Sequence, residues 1–219
     1  MVGKSRGDLA EKTPGPVVTI SRESGARGRS IAACLVERLG ALPSIPRHLP
    51  WTLFNQNLIQ HVIEEHGLPE RTAEFFREDH APEDIRSIIG EILGLHPGIY
   101  NTQVKTAETI RRLGEAGNTV IVGRGGNFIT ADIKRSVHVR LVGSEAVRAS
   151  HVAKREGITH EKAVSLIHQI DQARRRYIKR VFRKNIGEPV SYDLVINTDH
   201  FTDEQAADLI IAALRQRMV

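Results

Sequence analysis

Four apolar runs punctuate the chain at intervals too wide for hairpins: Val17 to Ile20, Thr119 to Val122, Val137 to Val142 and Leu194 to Ile196. The first two are short and β-branched, the pattern of strands buried on both faces, and the third carries His138 and Arg140 among its apolar positions. Between them, apolar positions recur every three or four residues. Ile31, Cys34, Leu35, Val36 and Leu39 predict a helix after the first strand, with Gly40 as its C-terminal cap. Ser144 is placed to cap a helix that stops at Gly157, and Thr159 to cap a longer one reaching about Lys184, ended by Gly187 and Pro189. An amphipathic helix from about Thr202 to Met218 closes the chain, with Ala206, Leu209, Ile210 and Leu214 on one face. From Pro50 to Gly117, breaks at Gly67-Leu68-Pro69, Ala81-Pro82 and His96-Pro97-Gly98 divide a helical pattern into an insert of about four helices, with no strand expected. Residues 1–16 mix charge with glycine and proline and read as a flexible tail ahead of one domain spanning 17–219.

Strands separated by helices argue for a mostly parallel sheet of about five strands covered on both faces, a three-layer α/β/α arrangement. Ligands in such sheets sit outside the carboxyl ends of the strands, which directs attention to the segments after Ile20, Val122, Val142 and Ile196. Ser24-Gly25-Ala26-Arg27-Gly28-Arg29-Ser30-Ile31 lies between a strand and a helix, as a phosphate-cradling loop must. Glycines at 25 and 28 permit a backbone that aims successive N–H groups inward, and the helix adds its positive end. Against G-x-x-x-x-G-K-[ST], Glu23 takes the place of the first glycine and Arg29 that of the lysine, while Gly28 and Ser30 stay in register. Arginine keeps the positive charge and offers a fork to phosphate oxygens; Ser30 keeps a hydroxyl suited to Mg²⁺. An ordinary glycine-rich turn is the plain alternative.

Composition narrows the choice of ligand. With 219 residues, 40% of them hydrophobic and 26% charged, the chain has the make-up of a globular protein, which excludes wholesale disorder and fibrous repeats. No apolar run approaches the ~18 residues that cross a bilayer, and the first twenty positions carry Lys4, Arg6, Asp8, Glu11 and Lys12, so no membrane association and a cytoplasmic location are expected. A single cysteine, Cys34, forms no internal disulfide and reads as a small buried core residue. Lys plus Arg number 31 against 26 Asp plus Glu, a formal charge of +5 that favours an anionic partner. Aromatic residues make up only 5%, which leaves few stacking rings for nucleic acid and tilts the reading towards a phosphorylated small molecule.

Two further basic features follow. Arg124, among Gly123, Gly125 and Gly126 just past a strand, is placed to reach an acceptor phosphate, though glycine clusters also make plain turns. In the basic run from Arg174 to Lys184, Ile170, Ala173, Tyr177 and Val181 form the apolar stripe expected to dock the helix. The remaining arc reads as phosphate-binding arginines, a solvated face or an RNA-binding stripe. His61, Glu65 and His66 lack metal-ligand spacing, so no metal site of that kind is expected.

The stretch Val17-Val18-Thr19-Ile20-Ser21-Arg22-Glu23-Ser24-Gly25-Ala26-Arg27-Gly28-Arg29-Ser30-Ile31-Ala32 resembles the opening of the cytidylate kinase-like family, relatives of the P-loop nucleoside monophosphate kinases. Further matches are Val120-Ile121-Val122-Gly123-Arg124-Gly125, the set Asp171, Arg174 and Tyr177, and Tyr192-Asp193-Leu194-Val195-Ile196-Asn197-Thr198. The resemblance runs from about residue 17 to the C-terminus and is thinnest across the insert. It implies transfer of a phosphoryl group from ATP, with Mg²⁺, to a nucleoside monophosphate such as CMP. Loop residues 24–31 with Arg29 would then hold the donor, Arg124 and Asn55 the acceptor, and a lid over 159–187 would bring Arg174 and Arg180 onto the phosphates, supported by Asp171 and Tyr177. Two departures stand out: Val122 where the kinases carry an acid, and Asn55 where they carry aspartate. Together with Glu23 and Arg29, the valine also fits a nucleotide-sensing protein without turnover. Oligomeric state is left open.

Overall fold

Successive residues of a strand point to opposite sides, so a run such as Val17-Val18 is stable only where both sides are covered. The computed structural model, which describes residues 15–42, 50–54, 99–123 and 125–218 (backbone alone for 99–106), provides that cover. Strands β1 (Val17–Arg22), β2 (Thr52–Phe54), β3 (Thr119–Val122), β4 (Ser136–Val142) and β5 (Leu194–Asn197) form one sheet in the order β2-β3-β1-β4-β5. All the pairings are parallel. The central strand is β1, with Val17 beside Thr119 and Ser136, and Ile20 beside Val122 and Val139.

Among the described residues the α-helices are α1 (Gly28–Ala41), α2 (Ile99–Ala116), α3 (Gly126–Ile129), α4 (Glu145–Glu156), α5 (His160–Phe182) and α6 (Asp203–Arg217). On one face Val18, Ile20, Val120 and Val139 pack against Ile31, Leu35 and Leu39 of α1 and Ile210 and Leu214 of α6. On the other, Val17 and Ile121 meet Ile110 of α2, with Phe54, Leu113 and Ile129 around them. The result is a three-layer α/β/α fold. Each buried Leu or Ile contributes about 1.5–3 kcal/mol relative to exposure, so these two clusters hold the layers together. Helices α4 and α5 form a separate pair joined through Ala149, Val152, Ala163 and Ile167.

Local chemistry sets the helix ends. Gly157 takes the left-handed conformation after α4, and Thr159 accepts the Lys162 amide at the start of α5. Thr202 and Gln205 exchange side-chain and backbone bonds of 3.2 and 2.9 Å in a full capping box on α6.

Several expectations are corrected. Gly40 lies inside α1 instead of capping it, and the helix closes where the Leu42 amide donates to Leu39. The segment read as wholly helical contains β2, too short for any period to show. Ser144 stands at the N-cap position of α4 without a side-chain cap bond; its amide donates to Asp199 Oδ2 at 2.9 Å, and the Ser144 bonds hold the Asp199 carboxyl below the usual range. Helix α5 ends at Phe182, with Arg183 in the left-handed conformation. Its docking face is Ala163, Ile167, Asp171, Ala173 and Ile178, while Val181 is 37% exposed, because a paired carboxylate occupies a buried position that an apolar count overlooks. Leu209 is 39% exposed, its place on α6 taken by Ala207 and Ile211, and Cys34 is half-buried against the core. The rest of the insert, with Asn55 and the His61, Glu65 and His66 set, lies outside the described residues, as do 1–14 and Arg124. No helix among the described residues is long and apolar enough to cross a membrane.

Candidate functional site

β1 ends at Arg22 and the chain turns sharply into α1. Two residues make the turn in left-handed conformation, Gly25 at φ 82° and Arg27 at φ 55°; Gly28, expected to share that role, instead opens the helix. Its requirement is space, since a Cβ there would lie 2.9 Å from Cγ of Arg22. The amides of Gly28, Arg29 and Ser30 precede the first intrahelical bond, which runs from Ile31 to the Arg27 carbonyl at 3.0 Å. With the positive end of α1 behind them, they are placed as an anion cradle demands. Other loop amides are spoken for: Ser24 donates to Asp171 Oδ1 at 2.7 Å and Ala26 to the Glu23 carbonyl at 3.2 Å. Arg29 and Ser30 are exposed at the mouth of the loop, and the Ser30 hydroxyl donates to the Arg27 carbonyl at 3.0 Å.

Arg27 turns away from this cradle. Its guanidinium donates to Asp203 at 2.6 Å, to the Thr198 carbonyl at 2.7 Å and to the Phe201 carbonyl. The turn between β5 and α6 is thereby fastened to the loop. Glu23 explains its own departure from glycine: its carboxylate accepts the Gly143 amide at 3.3 Å and faces Arg148 at 3.4 Å and Arg140 at 3.7 Å. Both arginines are buried, so the acid balances charge within the strand ends.

Nothing local in the sequence marks Arg148, which proves central. Its Nε donates to the Gly143 carbonyl at 2.9 Å, and its Nη1 to Ser24 O and Asp171 Oδ2, each at 2.8 Å. The one available hint was position, in the segment beyond the carboxyl end of β4. Asp171, expected to orient a lid arginine, does approach Arg174 at 3.5 Å, but its short bonds go to Ser24 and Arg148.

Beside the loop lies a cleft between the carboxyl ends of β1 and β3 and helix α5. Ser21, Arg22, Gly123, Gly125, Asn127, Arg174 and Tyr177 line it. Gly125, at φ 71°, sits under the Phe182 ring, where a Cβ would overlap the ring edge. Phe182 in turn packs on Phe128 at 5.3 Å and edge-on to Tyr177 at 6.2 Å. Arg174 reaches the Arg22 carbonyl at 3.4 Å, so one arginine stands between cleft and loop. Arg180 is exposed further along α5. Among the described residues, no group of three His, Cys, Asp or Glu is arranged to hold a metal ion. A cation would depend on the Ser30 hydroxyl together with oxygens brought by a ligand. The whole is a basic, glycine-lined surface with a strand-to-helix turn at one side and an open cleft at the other.

A family model described as the cytidylate kinase-like family matches residues 17–200. A cytidylate kinase of Methanothrix thermoacetophila is 31% identical over 106 residues, 48% of this chain, and the chain spans 59% of that relative's length. Among solved structures, an uncharacterized protein from Eubacterium ventriosum shares the fold with a TM-score of 0.64 at 18% identity, covering 91% of this chain and 98% of the other. A shikimate kinase from Bacteroides thetaiotaomicron does so with a TM-score of 0.52 at 12% identity and the same coverage of both chains.

Proposed function

This chain belongs to the cytidylate kinase-like family, and from that premise we propose that it transfers the γ-phosphoryl group of ATP to a nucleoside monophosphate of the CMP class. The observation that carries the reading is the loop, where Gly25 and Arg27 fold back so that α1 presents its first amides beside a cleft reached by Arg174. Phosphoryl transfer asks little covalent chemistry of a protein; it asks for alignment and for positive charge where the transition state spreads negative charge. First-turn amides of α1 and Arg29 hold the donor phosphates. Arg174 and Arg180 of the lid-like helix approach the transferring group and exclude water, with Asp171 and Tyr177 holding α5 against the loop. Arg124 and Asn55, outside the described residues, take the acceptor by family resemblance. Ser30 would contribute one hard oxygen to Mg²⁺, which fits an ion that keeps most of its shell from phosphate and water and supplies charge neutralisation at the donor. The chain acts in the cytoplasm on two small nucleotides.

The test is ADP release with a panel of monophosphates. CMP or a close pyrimidine analogue is expected to be the preferred acceptor, and Arg29→Ala to lower kcat/KM by about a hundredfold or more. No ADP above the acceptor-free background with any monophosphate rejects the proposal. Val122, buried at the end of β3 where the kinases carry an acid, favours a second reading, a nucleotide sensor. Its signature is ATP binding with no transfer to any acceptor.

A further inference from the structure

Ser24 is where the loop and the α4–α5 pair meet, and both of its peptide groups are taken by one buried ion pair. Its N–H donates to Asp171 Oδ1 at 2.7 Å; its carbonyl accepts from Arg148 Nη1 at 2.8 Å; the same Nη1 donates to Asp171 Oδ2 at 2.8 Å. The ring is buried, with Ser24, Arg148 and Asp171 exposed by 5, 8 and 6%. Arg148 cannot swing freely, because its Nε is fixed to the Gly143 carbonyl at the end of β4. Its own carbonyl abuts Gly25, where any Cβ would overlap it. One turn further along α4, His151 Nδ1 lies 3.1 Å from the Gly25 carbonyl. The loop therefore rests on α4 over two consecutive residues.

Charge makes the arrangement consequential. A carboxylate bonded to the amide of Ser24 stands next to the cradle, where a polyphosphate would be repelled by it. Arg148 faces that carboxylate at 2.8 Å inside a region shielded from water, where compensation is strong. We propose that Arg148 is a positioning residue for the donor phosphates: with Asp171 it grips both sides of the Ser24 peptide, sets the direction of the loop, and cancels the carboxylate's repulsion of the incoming polyphosphate. It touches no reacting atom. The inference rests on the reading of this loop as the triphosphate site.

Calorimetric titration of the full chain with Mg-ATP and Mg-ADP tests it, using wild type, Arg148→Met, Asp171→Asn and the double variant, at a temperature where melting curves show each to be folded. Arg148→Met is expected to weaken ATP binding by about tenfold or more, and ADP binding by less, because the carboxylate, left with only the longer 3.5 Å approach of Arg174, acts on the added phosphate charge. The double variant is expected to recover most of the loss, since a neutral amide at 171 still accepts from Ser24 without carrying charge. A role in packing alone would weaken the two nucleotides equally. The inference is overturned if Arg148→Met binds ATP as wild type does, if it loses ATP and ADP affinity to the same degree, or if the double variant is no better than Arg148→Met. Wild type that gives no heat with ATP instead removes the functional reading on which the inference stands. Should Arg148→Met fail to fold, Arg148→Lys keeps the charge without the fork, and several-fold weaker ATP binding is expected; wild-type affinity there also overturns it.

Discussion

Gly25 and Gly40 have the same side chain and opposite expectations. At Gly25 the backbone is left-handed and the Arg148 carbonyl occupies the space a Cβ needs, so Gly25→Ala is expected to cost about 1 kcal/mol or more and to lose ATP binding. Gly40 lies in the last turn of α1 with nothing within 4 Å of a built Cβ, so Gly40→Ala is expected to stabilise by about 0.5–1 kcal/mol. Urea denaturation of the two variants reads both signs, and stabilisation by Gly25→Ala would refute the loop geometry. Sequence located both glycines and misjudged Gly40, because a C-terminal glycine signals an end only when the next residues leave the helix. Arg27 was still less legible as a turn residue. A left-handed arginine costs about 1–2 kcal/mol, and what offsets it here is a set of bonds to Thr198, Phe201 and Asp203, partners no local pattern could indicate.

At the scale of elements, β4 reads as an apolar strand interrupted by polar residues, among them Arg140 and the half-buried His138. Its Nδ1 lies 2.8 Å from the Thr19 hydroxyl and its Nε2 3.1 Å from that of Ser136, and burial pushes its pKa below the ordinary histidine value. Asp193, bonded to the His138 amide, pulls the other way, and Arg217, paired with Asp193, adds to the burial effect. A depressed histidine is bound to more protons unfolded than folded below pH about 6.5, so its contribution to stability is complete above that value and is lost as pH falls towards the folded pKa. Melting temperature between pH 7.5 and 5.5 is expected to fall more steeply for wild type than for His138→Gln; parallel slopes exclude the effect. Element boundaries elsewhere followed the sequence where caps are local, as at Thr159, Gly157 and Thr202. They departed from it where burial depends on a distant partner, as with Asp171 on α5.

Across the whole molecule, runs of successive apolar residues separated by helices were enough to indicate a parallel sheet covered on both faces. Strand order was not legible, since parallel neighbours meet through crossovers whose length carries no pairing information. The same limit hid the site's buried centre: the loop was visible as a local string, whereas Arg148 joins it from more than a hundred residues away. The layer of α1 and α6 is expected to set global stability. Leu35→Ala, at a fully buried position in that layer, should cost about 2–5 kcal/mol in urea denaturation. A loss below about 1 kcal/mol would show that the layer is not packed as described.

Of the five strands, β1 is translated before the others, yet it lies in the middle of the finished sheet, and the neighbours on its two edges are residues 119–122 and 136–142. Until those emerge, Val17 to Ile20 offers two unpaired sides to any nascent chain or chaperone nearby, and the closing of this seam awaits translation through Val142. Chains stalled before Val142 should therefore be protease-sensitive at Val17 to Ile20, and chains released in full should be protected there.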